Sequence, residues 1–334
     1  MDHILEVLAK ISPGTELREA IDNIIKARTG ALIVIGGEPG IDEDCEGGVT
    51  LDVPFRHALV YELAKMDGAI VLNREITRIR RANVELLPKI PAISTETGMR
   101  HRVAERIART RDAIVIAVSQ RRSVVSIYWG ETRYVLRDLS FILTKATGAL
   151  TSLSRYDRLY RSAARRLSES EVRGESAWPD VVEVLRRAII AIQIRNEIHR
   201  HIVEMGRDGR LVDLQLEEYP DLQREWEWIF ADYRAHEGIA PLDPVDIDGA
   251  AQWGSDQWAR AFGYRRSPVM VQARGFRLLH TVPRLPEAVI VEVIKRFGNL
   301  QRIAQASLQD LDELPDVGIQ RAKAIYQLFV EPFN

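Results

Sequence analysis

SPGTELREAIDNIIKARTGALIVIG, residues 12–36, runs a helix signal straight into a strand signal, and the fold class follows from that junction. Thr15 can cap a helix, with Glu16 behind it, and Leu17, Ile21, Ile24 and Ile25 then recur on one helical face. The run ALIVIG that follows is too short and too rich in β-branched residues for a helix. Moving outward, the pattern repeats: FRHALVYELAKM (55–66) precedes AIVLN (69–73), RVAERIART (102–110) precedes AIVIAV (113–118), and VVSIYW (124–129) follows. This alternation predicts an α/β domain over residues 1–147, a mixed sheet flanked by helices.

From about Tyr156 to Glu237 the strand signals vanish, and Val181, Leu185, Ala188 and Ile192 fall at helical steps with Glu183, Arg186 and Arg187 between them. An all-α linker domain is expected over 148–270, with the Pro- and Asp-rich segment 238–250 as a loop toward the last unit. Two helix-turn-helix patterns, at 277–300 and 308–329, place a helix-hairpin-helix domain at 271–334.

The bulk numbers narrow the function classes. At 46% hydrophobic and 28% charged, the 334 residues are ordinary globular material for two or three domains. A formal net charge of -2 gives no global pull toward nucleic acid or acidic lipid, so any such contact is local. Cys45 stands alone in an acidic, Gly-rich stretch and reads as a surface thiol. No run approaches the roughly 18 apolar residues of a membrane span, and the N-terminus lacks a signal-peptide pattern, so a cytoplasmic protein is expected. His199 and His201 read as helical surface, being two apart, and Trp226, Trp228, Trp253 and Trp258 as packing aromatics.

The chemistry concentrates in STETGMRHRVAERIAR, residues 94–109. Thr95 and Thr97 are good caps, Gly98 permits an unusual backbone angle, and Arg100, His101 and Arg102 then crowd the first helical turn. A helix N-terminus already carries about half a positive charge, so each cation there costs roughly 0.3–1 kcal/mol unless something negative offsets it. A phosphate chain meets that need through free backbone N–H groups and guanidinium forks; the alternative is a solvated turn paired with Glu96 or Glu105. Ser119, Gln120, Arg121 and Arg122 form a second such turn beyond AIVIAV, where α/β sheets place ligands. Asp67-Gly68-Ala69 is a third element: a plain turn, or a carboxylate for a metal or a sugar hydroxyl beside small residues that admit a base.

Together these elements resemble the diadenylate cyclase family, with its Asp-Gly-Ala and Arg-His-Arg signatures at Asp67–Ala69 and Arg100–Arg102. The likeness continues through LAKMDGAIVLN, RRANVELLP and VSQRRSVVSIYW to the soluble, DNA-scanning branch of that family, and the helical middle and hairpin tail extend it over nearly the whole chain. The resemblance implies that two ATP molecules are joined into cyclic di-AMP with release of two pyrophosphates. Asp67 would bind Mg2+ or Mn2+ and help activate the ribose 3'-hydroxyl, with Gly68 and Ala69 against the nucleotide. Arg100, His101 and Arg102 would grip phosphates, beside Thr97, Gly98 and Met99, and Ser119, Arg121 and Arg122 would take the rest of the triphosphate. One signature pair holds one ATP, so two such domains must face each other, and the family implies a homo-octamer. One departure stands out: Met99 occupies the place of the family's Thr. It keeps open a second reading, a weak or inactive nucleotide or cyclic di-AMP sensor with a DNA-binding output.

For the tail the resemblance implies branched double-stranded DNA, such as Holliday junctions, and association with the nucleoid. Hairpins of this type offer backbone N–H groups and a nearby cation to phosphate. Gly318, Arg321 and Lys323 are the candidates in the second hairpin, and Arg284 in the first. Asp316 replaces the consensus first glycine, and the 282–286 turn has none.

Overall fold

The computed structural model describes residues 2–120, 124–244 and 249–330, with side chains from residue 5 onward. By contacts the chain divides into two units, Met1–Ala146 with Arg200–Asp213, and Thr147–His199 with Leu214–Asn334. The first is built on strands β1 (Ala31–Gly36), β2 (Cys45–Glu46), β3 (Val49–Pro54), β4 (Ala69–Leu72), β5 (Arg78–Leu86), β6 (Ala113–Val118), β7 (Val125–Trp129) and β8 (Thr132–Val135). Their order is β2-β5-β4-β1-β6-β7-β8, with β3 also on β5. The sheet is mixed: β1 and β4 run parallel, while β1–β6, β6–β7, β7–β8, β4–β5, β3–β5 and β2–β5 are antiparallel.

Every residue of β1 is buried, because the sheet is covered on both faces and successive side chains enter opposite cores. Ile33 and Ile35 pack with Ile70, Leu72, Ile116 and Ile127 against helices α1 (Asp2–Ile11), α2 (Glu16–Lys26) and α3 (His57–Leu63). Leu32 and Val34 pack with Val71, Val115 and Tyr128 against Ala104, Ile107 and Ala108 of α4 (Met99–Thr110). Thr15 caps α2 as expected, its hydroxyl accepting from the Arg18 amide at 3.2 Å.

The strands that periodicity overlooked are the charged ones. β5 carries Arg78 and Arg80 within a strand, and each finds an acid: Arg78 meets Asp52 at 2.8 Å, and Arg80 meets Glu38 and Asp42. Cys45 corrects a second expectation. It lies on β2 and is buried in the core under α4, where burial pushes its thiol up from its ordinary pKa. Its neighbour Asp44 is also buried, and it accepts from Arg111 Nε at 2.6 Å and the Lys89 amide at 2.9 Å. The acidic stretch around Cys45 therefore folds inward because its carboxylates have cations waiting. His201 is likewise buried rather than on a helical surface, whereas His199 is exposed.

Helix α5 (Leu139–Arg173) starts at Asp138, whose carboxylate accepts from the Ser140 amide at 2.8 Å, and it carries the chain into the second unit. There α6 (Trp178–Met205) buries Val181, Leu185, Ala188 and Ile192, the residues that periodicity singled out. After α7 (Arg210–Glu217), helices α8 (Gln223–Tyr233) and α9 (Ser255–Ala261) complete an aromatic core. In it Trp226 meets Trp258 edge-on at 5.9 Å and Trp178 meets Phe262 at 5.5 Å. Trp226 and Trp258 are fully buried, Trp253 meets Trp258 at 5.1 Å and Trp228 stacks on His280 at 4.0 Å, so the four pack as expected, and Trp178, which that expectation did not name, is buried with them. Short helices follow: α10 (Phe276–Leu279), α11 (Glu287–Phe297), α12 (Leu300–Gln305), α13 (Leu308–Asp312) and α14 (Gly318–Val330). They share a small core of Leu279, Ile290, Val293, Leu311 and Ile325.

Candidate functional site

A cavity of about 1000 Å3 opens in the first unit at the amino ends of the parallel pair β1 and β4 and the carboxyl ends of β5 and β6. The expected placement beyond the carboxyl end of AIVIAV holds, because β6 runs antiparallel to β1. Asp67, Gly68, Ala69, Thr97, Gly98, Met99, Arg100, His101 and Ser119 all line this one cavity. Arg102 does not line it, and Arg121 and Arg122 lie outside the described residues.

The Asp-Gly-Ala turn is held against β5. The Gly68 amide donates to Asn83 Oδ1 at 3.2 Å, and a Cβ on Gly68 would stand 2.4 Å from the Asn83 carbonyl carbon. Asn83 itself adopts φ 55°. A side chain at 68 cannot be admitted without moving backbone. Asp67 projects from this turn fully into solvent, with Arg100 Nη2 at 3.4 Å from Oδ1.

Helix α4 starts at Gly98, whose φ of -82° is ordinary extended backbone, so neither Thr95 nor Thr97 caps the helix and no left-handed glycine is needed. Arg100, His101 and Arg102 occupy the first turn, which holds no acid. The two acids proposed as local partners are engaged elsewhere. Glu105 accepts from Ser94 Oγ at 2.5 Å, the Thr95 amide at 3.0 Å and Arg109 at 3.0 Å; burial pushes its carboxyl up, but these contacts hold it below its ordinary pKa. Glu96 accepts from Tyr128 Oη and Arg133 Nε, each at 2.9 Å, and only its backbone carbonyl takes Arg102 Nε, at 3.4 Å. Arg100 is thus left facing Asp67 across the cavity, so the helix-end charge is offset by a carboxylate from another loop.

Gly30 makes that position possible. A Cβ there would fall 2.2 Å from Arg100 Nη1 and 2.9 Å from Cζ. The obstructed group is the mobile end of a side chain, whereas at Gly68 it is backbone. Gly30→Ala is therefore expected to leave the melting temperature nearly unchanged while weakening nucleotide binding about tenfold, the loss of one charge-assisted hydrogen bond. Gly68→Ala should lower the melting temperature as well. Thermal melts with and without ATP separate the two.

His101 is tied inward: its Nδ1 lies 2.9 Å from Tyr128 Oη, and the rings meet edge-on. Burial and the Glu96 hydrogen bond push the Tyr128 hydroxyl up to about 12. Sequence reasoning missed Tyr128, Arg133, Asn83 and Gly30. Tyr128 reads as one more apolar strand residue, and Asn83 lies in the quoted stretch RRANVELLP without any signal of its role.

A divalent cation would fit this site through few protein ligands. No group of three or more His, Cys, Asp or Glu side chains that could cage an ion occurs among the described residues. Asp67 is exposed on the cavity wall, as is Glu85, which suits a Mg2+-like ion that binds through one or two carboxylates and the substrate's own phosphates.

In the second unit Arg284, Arg321 and Lys323 are exposed. Arg284 and Asp316 adopt φ of 59° and 61° in the α10–α11 and α13–α14 turns, so each turn keeps a left-handed residue without glycine there. Gly318 also has φ 61°, and Arg321 Nη1 donates to the Asp316 carbonyl at 2.5 Å. No described helix is long and apolar enough to cross a membrane.

Comparison with known proteins accounts for most of the chain. The model of the DisA bacterial checkpoint controller nucleotide-binding family matches residues 18–132, and that of the DisA bacterial checkpoint controller linker region matches 136–247. The chain is 41% identical over 333 residues to the DNA integrity scanning protein DisA of Symbiobacterium thermophilum, covering 96% of this chain and 93% of that one. It is 39% identical to the same-named protein of Carboxydothermus hydrogenoformans, over 97% and 95% of the two chains. It is 38% identical to that of Bacillus pumilus, over 96% and 92%.

Proposed function

Because the chain belongs to the DisA family, we propose that it is a diadenylate cyclase that condenses two ATP into cyclic di-AMP and two pyrophosphates. The observation that carries this reading is the meeting of Asp67 and Arg100 at 3.4 Å on the wall of a cavity of about 1000 Å3, large enough for a nucleotide. A Mg2+ or Mn2+ ion held by Asp67 and the triphosphate would supply Lewis-acid stabilisation of charge on the phosphate oxygens. Arg100 orients the α-phosphate and offsets the charge that develops on it as a 3'-hydroxyl attacks. His101 and the Ser119 turn, with Arg121 and Arg122, take the remaining phosphates, and Arg102 adds charge from outside the cavity. Gly68 and Ala69 let the base lie close to backbone. Each 3'-hydroxyl attacks the other ATP, so two first units face each other, within an octamer in this reading. The test is formation of cyclic di-AMP and pyrophosphate when the purified chain meets ATP with Mg2+ or Mn2+.

Met99 favours one competing reading. It is 83% exposed at the first position of α4, where the family carries a hydroxyl. A missing neutral hydrogen bond is worth about 0.5–1.5 kcal/mol, so Met99→Thr is expected to raise turnover roughly two- to tenfold. A chain that ATP or cyclic di-AMP stabilises against heat, but that makes no product before or after that substitution, is a sensor instead.

The hairpin tail, in this proposal, holds the backbone of branched duplex DNA in a cytoplasmic, nucleoid-associated protein. Gly318 exposes its amide, with Arg321, Lys323 and Arg284 as cations. Binding should fall steeply with added salt, and Arg321→Glu should weaken it about equally across DNA sequences, as measured by fluorescence anisotropy. Indifference to both removes the tail from the interface.

A further inference from the structure

The His101 ring is attached to a chain of polar groups that ends in an ion pair. Nδ1 lies 2.9 Å from Tyr128 Oη, Tyr128 Oη lies 2.9 Å from Glu96 Oε1, and Arg133 Nε lies 2.9 Å from the same Glu96 oxygen. Tyr128 is 1% exposed, so its hydroxyl is closed to bulk water, while Glu96, 15% exposed, lines the cavity and is held by Tyr128 and Arg133. The direction of the chain follows from counting protons. A carboxylate only accepts, and the same Glu96 oxygen already takes the Arg133 guanidinium. Two bare oxygens 2.9 Å apart would repel, so the single Tyr128 hydroxyl proton is spent on Glu96. What remains on Tyr128 Oη is lone pairs, and the contact with His101 then requires the proton to come from Nδ1.

We propose that Tyr128 and Glu96 are positioning residues that fix the His101 imidazole as the Nδ1–H tautomer, making Nε2 the nitrogen that exchanges hydrogen bonds with the bound nucleotide. The ring's Cδ2 edge, which bears Nε2, lies along the Gly98 turn, where an ideal Cβ would come within 3.4 Å of Cδ2. The logic is that of a buried carboxylate orienting a histidine through its inner nitrogen, with a tyrosine hydroxyl inserted between the two. The use made of the ring rests on the cyclase reading; the tautomer does not.

The experiment is a long-range 1H–15N correlation spectrum of the full chain labelled with 15N-histidine, at alkaline pH where the ring is neutral, with His101 assigned from the signals lost in His101→Asn. The wild-type ring should give a pyrrole-type Nδ1 and a pyridine-type Nε2. Glu96→Ala frees the tyrosine proton to be donated to Nδ1 and should invert the pattern to Nε2–H, whereas Glu96→Gln keeps an acceptor and should preserve it. Tyr128→Phe should abolish the Nδ1–H preference. A wild-type ring in the Nε2–H form overturns the proposal whether or not any variant folds, and so does an Nδ1–H form that survives Tyr128→Phe or Glu96→Ala. Product formation by the same samples is judged separately: an Nδ1–H ring in a chain without turnover keeps the relay and removes the cyclase, and the converse removes the relay alone.

Discussion

Asp67→Asn should lower cyclic di-AMP formation at least a hundredfold and leave the melting temperature of the free protein unchanged. The two halves of this expectation come from the same observation: the side chain is fully exposed, and its one ion-pair partner among the described residues is Arg100 at 3.4 Å. Removing an exposed charge takes little from folding, since surface substitutions away from caps and cores leave stability almost untouched. In the proposed function, removing it from the cavity takes away the carboxylate that would hold a divalent ion and favour deprotonation of the attacking hydroxyl; a general-base contribution of this kind is worth about 10^2–10^4 in rate. Asn preserves shape, so a loss reports on charge. Binding of ATP itself, followed by its thermal stabilisation of the chain, should survive, because Arg100 stays on α4 and is released from its ion pair. Turnover above one tenth of wild type would remove Asp67 from the reaction, and with it the proposed manner of holding the metal.

Much of the α/β unit could be read directly because its central strands are uniformly apolar. ALIVIG and AIVIAV contribute to both cores, and no other placement would satisfy them. The strands that escaped, β2, β3, β5 and β8, each carry a charged residue, and on β5 the answer lies well away along the chain: Arg78 looks like a loop residue until Asp52 is beside it. Cys45 failed for a related reason, since the neighbouring Asp44 is buried against Arg111, 67 residues away. In the site, the cations of α4 could be found because a helix N-terminus repels them, and that local physics needs no tertiary structure. What answers them could not: the competing acids Glu96 and Glu105 stand close to them in sequence, outside that first turn, and are removed from contention by Tyr128, Arg133, Ser94 and Arg109. Nor could a local rule tell that Arg100 lies over Gly30, or that a tyrosine two strands into the sheet touches the motif histidine.

Arg277→Met should cost about 3–5 kcal/mol of stability, the effect of breaking a buried ion pair from one side. Arg277 is 7% exposed; its Nη2 donates to Ser168 Oγ at 2.8 Å and to Glu171, which also accepts from Tyr233. Nearby Asp232 accepts the amides of Gly275, Phe276 and Arg277 at 2.6, 2.7 and 3.0 Å, so α10 is fastened to α5 and α8 by charged groups inside the second unit. Burial pushes both Glu171 and Asp232 above their ordinary carboxylate pKa, with Arg277 opposing the rise in each. Without the guanidinium the rise grows, and Glu171 takes up a proton when the chain folds. The sign follows: a folded-state pKa raised above the unfolded value contributes stability that is complete below the unfolded value and lost as pH rises through the folded one. The variant should therefore lose stability with rising pH, by up to about 1.4 kcal/mol per unit within that window, more steeply than wild type. Adding Glu171→Gln removes the stranded charge and should recover much of the loss while flattening the pH dependence. Urea titrations of the three proteins across pH decide it; equal slopes for wild type and Arg277→Met, or no recovery in the double variant, would mean that α10 is held by its apolar contacts and not by this pair.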